Sequence, residues 1–442
     1  MLLRIYGWVM TLLIPLLRRK LARRALAEPG YGEAVEERFG GYTMAPLVGG
    51  KVVWVHAVSL GETRAVAALV QALRREIPAM RLLLTHGTAT GREAGKALLQ
   101  TGDVQVWQPW DCPLAVHRFV EQFRPRIGLL VETEVWPLLT AECKKQGVPL
   151  CLVNARLSDK SLRQAKRLGP LARQAYSSLA AVWAQSEADA QRLRQLGAPV
   201  AGVMGNFKFD LQPSAIQLGQ GRAWRHVLGK PVVMLASARE GEEAMLADLL
   251  TRKEAQALVL TAQPASKTIA PAVQWLIVPR HPQRFDEVEA LLRKAGLSVA
   301  RRSQWPTVPG APLPQADVWL GDSLGEMALY YGLSDVVLLG GSFAPLGGQN
   351  LIEAAACECP VVMGPHVFNF AQASELALEA GAAFTVADMA AGVQRALTLV
   401  DDATALATAR QAALGLAMAH RGAADRTAVA VAKVLTTGGV VH

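Results

Sequence analysis

Four stretches of this chain put acidic, basic or amide side chains at the ends of apolar runs or beside glycines, where a ligand can approach. In Ser59-Leu60-Gly61-Glu62, directly after the apolar run Val52-Val53-Trp54-Val55-His56, the sequence presents Glu62 at the start of a helix. An acid in a first helical turn complements the helix dipole. A carboxylate at the carboxyl edge of a buried strand can also serve as a general base. In Glu132-Thr133-Glu134, two carboxylates stand two residues apart at the end of the run Arg126–Val131. They could bind an acceptor or orient a basic group, or one of them simply caps the next element. Arg156, in Asn154-Ala155-Arg156-Leu157-Ser158 after another apolar run, could meet an anionic substrate.

The fourth stretch, Gly340 to Phe370, reads GGSFAPLGGQNLIEAAACECPVVMGPHVFNF. Gly340-Gly341-Ser342 and Gly347-Gly348 carry the freedom to bend and to admit a ligand close to the backbone. Asn350 reads as the N-cap of a helix over Leu351–Cys357. Asn350 and Glu353 make an Asn-x-x-Glu capping pair, or mark an anion site at a helix start behind glycines. Two smaller stretches share this logic. Pro279-Arg280-His281-Pro282 is a proline-rich turn with a solvated arginine, and Asp322-Ser323-Leu324-Gly325-Glu326 has the makings of a capped helix start.

These residues need rigid elements behind them. Short apolar runs at 52–56, 81–85, 126–131, 149–154, 180–185 and 200–205 alternate with helical patterns, which predicts a doubly wound parallel sheet. The segment Leu211–Gly221, rich in Gln, Pro and Gly, reads as a linker. A second series begins at Pro231–Ala236 and continues at 275–278, 318–320, 336–339 and 360–363. Residues 371–442 are alanine-rich and helical in pattern. The polar groups singled out lie after strand ends, where such sheets bind ligands.

A chain of 442 residues exceeds one ordinary domain, and 51% hydrophobic residues can fill large cores. Lys and Arg number 46 against 37 Asp and Glu, and the +9 balance predicts an anionic partner. The basic residues beyond the N-terminus are scattered and no nucleic-acid module is present, so no nucleic-acid partner is expected. Five cysteines, at 112, 143, 151, 357 and 359, have no framework spacing and fit a reducing compartment. Cys357-x-Cys359 lacks a second pair, so no metal site is expected. The N-terminus reads MLLRIYGWVMTLLIPLLRRKLARR. The apolar run Ile5–Leu17 is short for a membrane span, and the basic cluster after it disfavours export. A membrane anchor or interfacial helix on anionic lipid, with the body in the cytoplasm, is expected.

At several of these positions the chain resembles one family. WVHAVSLGE, VETEVWP, PRHPQRF and GGQNLIEAAACECPVVMGPHVFNF, in that order, are similar to motifs of the bacterial 3-deoxy-D-manno-octulosonic acid (Kdo) transferases, with support from NARLSDKS and the juxtamembrane YGEAVEERFGGY. Where the family usually shows His before the Asn, this chain has Gln349. The resemblance implies the GT-B architecture: two Rossmann-like doubly wound domains facing a cleft, with an N-terminal membrane-anchoring helix. The expected division is residues 1–30 as anchor, 31–212 as acceptor domain, 222–415 as CMP-sugar domain and 416–442 as a terminal helix. It further implies inverting, metal-independent transfer of Kdo from CMP-Kdo to a lipid A precursor, lipid IVA, at the cytoplasmic face of the inner membrane. CMP-Kdo is then a substrate, and no cofactor is needed. Glu62 falls on the family's catalytic base. Pro279, Arg280, Leu324, Gly325, Glu326, Asn350, Leu351, Ile352 and Glu353 fall on CMP contacts. Ser59, Gly61, Glu132, Glu134 and Arg156 take supporting or acceptor roles. Two other readings stand beside it: another GT-B enzyme, such as a uridine-sugar transferase or a sugar-nucleotide 2-epimerase, and a non-enzymatic peripheral membrane protein.

Overall fold

The computed structural model describes residues 1–47, 49–251, 273–305 and 312–436. The chain divides into two compact units, Met1–Leu211 with His420–His442, and Gln212–Ala419.

In the first unit, seven strands are described: β1 (Lys51–His56), β2 (Met80–His86), β3 (Val104–Trp107), β4 (Ile127–Val131), β5 (Leu150–Ala155), β6 (Ala181–Ala184) and β7 (Val200–Val203). They form one sheet in the order β3-β2-β1-β4-β5-β6-β7, and every pairing is parallel. Parallel strands are covered by helices on both faces, so they read as continuous apolar runs rather than alternating ones. Val53, Trp54, Val55, Leu129, Leu130 and Val131 are accordingly all 0% exposed. Strand order reverses between β1 and β4, so a crevice opens beyond their carboxyl ends.

The helix Ala423–Thr436 packs its Ala424, Ala428, Val431 and Val434 into the same core as Leu69 and Leu73 of the helix Leu60–Glu76. Each Val or Leu buried this way contributes about 1.5–3 kcal/mol. Asp210 holds the start of that last helix, its carboxylate accepting from the N–H groups of Gly422 (2.5 Å) and Ala424 (2.7 Å). The alanine pattern predicts a helix here, but carries no sign of which unit it joins.

The N-terminus forms two helices, Leu2–Leu12 and Ile14–Ala27, with Pro15 in the first turn of the second. Leu2, Ile5, Trp8, Leu12 and Leu16 are exposed. No helix among the described residues is long and apolar enough to cross a membrane. Arg18 pairs with Glu36 at 2.5 Å and lies over Phe39, and Arg24 lies over Tyr31. The motif YGEAVEERFGGY thus grips the basic helix from one side.

The second unit's described strands are β8 (Val232–Ala238), β9 (Gln274–Pro279), β10 (Val299–Arg301), β11 (Val318–Leu320), β12 (Val336–Leu339), β13 (Val361–Met363) and β14 (Ala383–Thr385). They again form one parallel sheet, in the order β10-β11-β9-β8-β12-β13-β14. Its reversal lies between β8 and β12.

Two sequence expectations are corrected. The stretch read as a linker is helical from Ala215 to Leu228, with Ser214 as N-cap. Its Gly221 is there for close approach, since a Cβ would stand 2.2 Å from the carbonyl oxygen of Leu329. The glycine signal came from packing, not from a break in the chain. Asn350 stands one residue before the actual N-cap, Leu351, and the helix is only Ile352–Ala356.

Candidate active site

In the first unit, Ser59 leaves the β1 loop in extended conformation and caps the helix Leu60–Glu76. The N–H of Glu62 donates to Ser59 Oγ (3.4 Å), and Ser59 Oγ donates to Glu62 Oε1 (3.0 Å). Glu62 Oε2 accepts from the N–H of Val58 at 2.8 Å. This is a Ser-x-x-Glu capping box, so the local reading of Glu62 is correct as far as it goes. The carbonyl of Val58 is fixed in turn by the N–H groups of Gly87 (3.1 Å) and Thr88 (3.0 Å). The loop therefore cannot drift.

The electrostatics go beyond capping. Burial pushes the Glu62 carboxyl up to about 7, and the charges of Glu132 and Glu134 add to the rise, against the donors Val58 N–H and Ser59 Oγ. A carboxylate poised near neutrality is suited to taking a proton from a hydroxyl.

Glu132 and Glu134 follow β4, the neighbour of β1 across the reversal. Glu132 adopts φ +61°, a conformation costing on the order of 1 kcal/mol or more outside glycine. Its carboxylate lies 4.0 Å from Arg156 Nη2 and 3.9 Å from Lys208 Nζ. Glu134 accepts from Trp136 Nε1 at 2.8 Å, and burial raises its carboxyl. Ser59, Glu62, Glu132, Glu134 and Arg156 are thus gathered at the carboxyl ends of β1, β4 and β5, with Gly61 exposed beside them. Lys208 was missed. Its segment GNFKFD reads as the approach to a linker, and nothing local says that its ammonium turns toward β4. Asn154, at φ +49°, ties that segment down by accepting from Phe207 N–H at 3.1 Å.

In the second unit, Pro279 ends β9 and is buried, while Arg280 is exposed, its N–H donating to Ala238 O at 3.0 Å. Leu324 is 75% exposed, and Gly325 takes φ +80°. Glu326 pairs with Arg302 Nη2 at 3.0 Å and accepts from Ser323 Oγ. Arg301 Nε reaches Asp322 at 2.6 Å. Two adjacent arginines therefore pin both ends of DSLGE. Asn350 Oδ1 accepts from Ile352 N–H at 3.2 Å, while Leu351 and Ile352 are each 1% exposed. A ligand at these two would meet their backbone. Arg280, the 324–326 turn and 350–353 follow β9, β11 and β12 respectively.

The glycine loop after β12 was expected as a ligand cradle. Gly340 is required sterically, because a Cβ would stand 2.3 Å from Ser237 O. The loop closes on Glu242, which is 0% exposed and which was not among the residues singled out from the sequence. Only the run Gly241-Glu242-Glu243, acidic residues where a helix must bury its first turn, could have marked it. Among the described residues no three His, Cys, Asp or Glu side chains gather where they could hold a metal ion. The five cysteines are free and buried.

Comparison with known proteins bears on these arrangements. A family model described as "3-Deoxy-D-manno-octulosonic-acid transferase (kdotransferase)" matches residues 33–211. The chain is 45% identical over 433 residues to a 3-deoxy-D-manno-octulosonic acid transferase of Bordetella pertussis, covering 96% of this chain and 97% of that protein. Among solved structures, a glycosyltransferase from Rickettsia africae matches with TM-score 0.55 at 12% identity, covering 87% of this chain and 98% of that one. A "putative UDP-N-acetylglucosamine 2-epimerase" from Listeria monocytogenes matches with TM-score 0.58 at 13% identity, covering 88% of this chain and 98% of that one. Both structural likenesses concern the fold alone, two parallel-sheet α/β domains of the GT-B kind, and that fold serves transferase and epimerase alike.

Proposed function

The chain belongs to the 3-deoxy-D-manno-octulosonic acid (Kdo) transferase family, and we propose that it moves Kdo from CMP-Kdo to the lipid A precursor lipid IVA in lipopolysaccharide biosynthesis. The observation that carries the chemistry is the Glu62 carboxyl, capped at the end of β1 and raised by burial to about 7. Glu62 takes the proton from the acceptor sugar hydroxyl. The hydroxyl oxygen forms its bond to the anomeric carbon from the face opposite the departing phosphate, with inversion, and the bond to CMP breaks. Arg156 and Lys208, held near Glu132, supply positive charge for an anionic acceptor.

The second unit holds the donor. Charge accumulates on the departing CMP phosphate, and the guanidinium of Arg280 can meet it with two parallel donors. Backbone groups of Asn350, Leu351 and Ile352 and the turn Leu324-Gly325-Glu326 line the nucleotide, with Pro279 behind them, and Glu353 accepts from ribose hydroxyls. The leaving group is neutralised by these protein donors, with no metal.

At the N-terminus, exposed Leu2, Ile5, Trp8, Leu12 and Leu16 precede Arg18, Arg19, Lys20, Arg23 and Arg24. Two helices of 11 and 14 residues, each shorter than the ~20 residues of a span, suit a protein lying on the cytoplasmic face of the inner membrane. In flotation assays, the protein should rise with vesicles containing anionic lipid and stay behind with purely zwitterionic ones.

The decisive test gives purified protein a lipid A precursor with CMP-Kdo generated in place and, separately, a uridine-sugar donor. A mass gain of one or more Kdo units with release of CMP supports the reading. Turnover of the uridine donor alone overturns it and favours another GT-B activity.

A further inference from the structure

Glu242 is the first residue of the helix after β8 and is fully buried. Its Oε2 accepts from the N–H groups of Gly341 (2.7 Å) and Arg239 (2.9 Å). Its Oε1 accepts from the N–H groups of Phe343 (3.1 Å) and Ala344 (3.2 Å). Successive backbone N–H groups in a tight turn form a concavity that holds an anion. Here the anion comes from the chain itself. The N–H groups of Gly341, Phe343 and Ala344 are consequently taken up by Glu242 and are not offered to a ligand.

The loop so fixed is the root of a longer arrangement. Gly341 O accepts from Gly348 N–H at 2.7 Å, which sets the turn leading to Asn350. Ser342 Oγ donates to Leu339 O (2.5 Å) and accepts from Gly364 N–H (2.8 Å), and Ser342 O accepts from His366 N–H (3.1 Å). On the other side, the Arg239 N–H bond fixes the turn after β8, and Arg280 N–H donates to Ala238 O in the same turn. One carboxylate therefore joins the loops after β8 and β12 across the strand-order reversal, next to Arg280 and 350–353.

We infer that Glu242 is a positioning residue for donor recognition: an internal counter-anion that sets the Gly340–Ala344 loop, and through it the nucleotide-facing segment 348–353. This rests on the reading of the second unit as the nucleotide-binding one. It also divides the labour there, since the phosphate must be met by Arg280 and by residues beyond Gly348 rather than by the glycine loop.

The test compares the full-length protein with Glu242→Gln, Glu242→Asp and a control, Val233→Ala, which opens a cavity in β8 of the same sheet. Hydrogen exchange of the peptide spanning residues 340–344 and the affinities for CMP and UMP are measured on each. An amide in place of the carboxylate turns a donor toward N–H groups and leaves at least one of them unpaired. Exchange in residues 340–344 should rise by about tenfold or more, and nucleotide affinity should fall by about tenfold. With donor at saturation, kcat should stay within about threefold, because Glu242 meets no reacting atom. Glu242→Asp keeps the charge but falls short of the loop, and should move both readouts the same way if the Gln variant fails to fold. Val233→Ala should lower Tm yet leave affinity within about twofold. Unchanged exchange in residues 340–344, or an equal loss of affinity in Val233→Ala, overturns the inference. Wild type that prefers UMP overturns the CMP-Kdo reading alone, and Glu242 is then judged on UMP. Wild type that binds neither nucleotide overturns both.

Discussion

The two units carry one device in two states. In each, a glutamate stands at the start of the helix after the first strand of a doubly wound sheet, beside the reversal of strand order: Glu62 after β1, Glu242 after β8. Glu62 receives one backbone N–H and one hydroxyl, and is only partly buried. Glu242 receives four backbone N–H groups and is closed off from water. The donors decide the outcome. Few donors around a partly buried carboxylate leave the charged form poorly compensated for its lost water and raise its affinity for a proton. A full set of four backbone donors holds the Glu242 carboxylate in one place and leaves it useful only as structure. Position in the fold alone therefore does not separate the glutamate proposed as base from the one proposed as strut; the count of donors around the carboxylate does.

The largest effect should come from removing the member of the pair proposed as the base. Glu62→Gln keeps the size and one acceptor for Val58 N–H but cannot take a proton. Turnover should fall by about 10²–10⁴-fold, while CMP affinity, a property assigned to the other unit, stays unchanged. Near-normal turnover with CMP-Kdo would dismiss Glu62 as the base and make the two glutamates alike.

Next in size is a steric test of the loop that Glu242 holds. Gly340→Ala places a methyl 2.3 Å from Ser237 O, backbone that cannot turn aside. A loss of about 3 kcal/mol is expected, read as an earlier transition in thermal unfolding, together with weaker nucleotide binding. Wild-type stability would mean that the junction of β8 and β12 yields easily, and would weaken the case for a preset loop.

A smaller effect reads Glu62 through pH. Folded Glu62 titrates at about 7 against an ordinary 4.5, so between these values the folded state holds a proton that the unfolded chain has lost. Stability from this group is greatest at the acid end, and declines as pH rises from about 4.5 to 7. Asp111, raised by burial to about 6, has the same sign, so the informative quantity is wild type minus Glu62→Gln. That difference should slope downward with pH, while kcat/KM of wild type rises through about 7 as the base becomes free. A pH-independent difference would mean that folding does not raise the Glu62 carboxyl.

How far the sequence carries can be judged on particular residues. Strands buried on both faces announce themselves as apolar runs, and β1, β2, β4, β5, β6, β8, β9, β11, β12 and β13 were all foreseen, as was the less buried β7. The strands β3, β10 and β14 were not: VQVW, VAR and AFT are short, edge-ward and, for β14, lodged in alanine-rich sequence that reads as helix throughout. Gly221 misled because glycine marks both a break and a close approach, and only the neighbouring helix Met327–Leu333 distinguishes them. Glu62, Glu132, Glu134 and Arg156 were visible because polar residues after buried strands are conspicuous. Lys208 and Glu242 were hidden for opposite reasons. Lys208 reaches β4 from a 3₁₀ turn more than 70 residues later in the chain, a contact that no local pattern encodes. Glu242 looks like a solvated helix start until the loop from 341–344, about a hundred residues on, folds over it.

The smallest effect probes the glycine beside the proposed base rather than the one beside the proposed strut. Gly61 has no positive φ, and a Cβ there would meet nothing nearer than Ser59 Oγ at 3.9 Å. The fold therefore gives no reason for glycine in this helical turn, where alanine should add about 0.5–1 kcal/mol. Gly340 is glycine because the protein's own backbone is close; Gly61 has open space instead, next to a carboxyl raised by burial. If an acceptor sugar comes down onto Glu62, it is the ligand that needs this space. Gly61→Ala should then unfold slightly later than wild type, bind CMP normally and lose acceptor kcat/KM by about tenfold, since a methyl misplaces the hydroxyl relative to the base. Unchanged kcat/KM in the stabilised variant would show that the acceptor reaches Glu62 from another side, and would move the search for its binding surface toward Arg156 and Lys208.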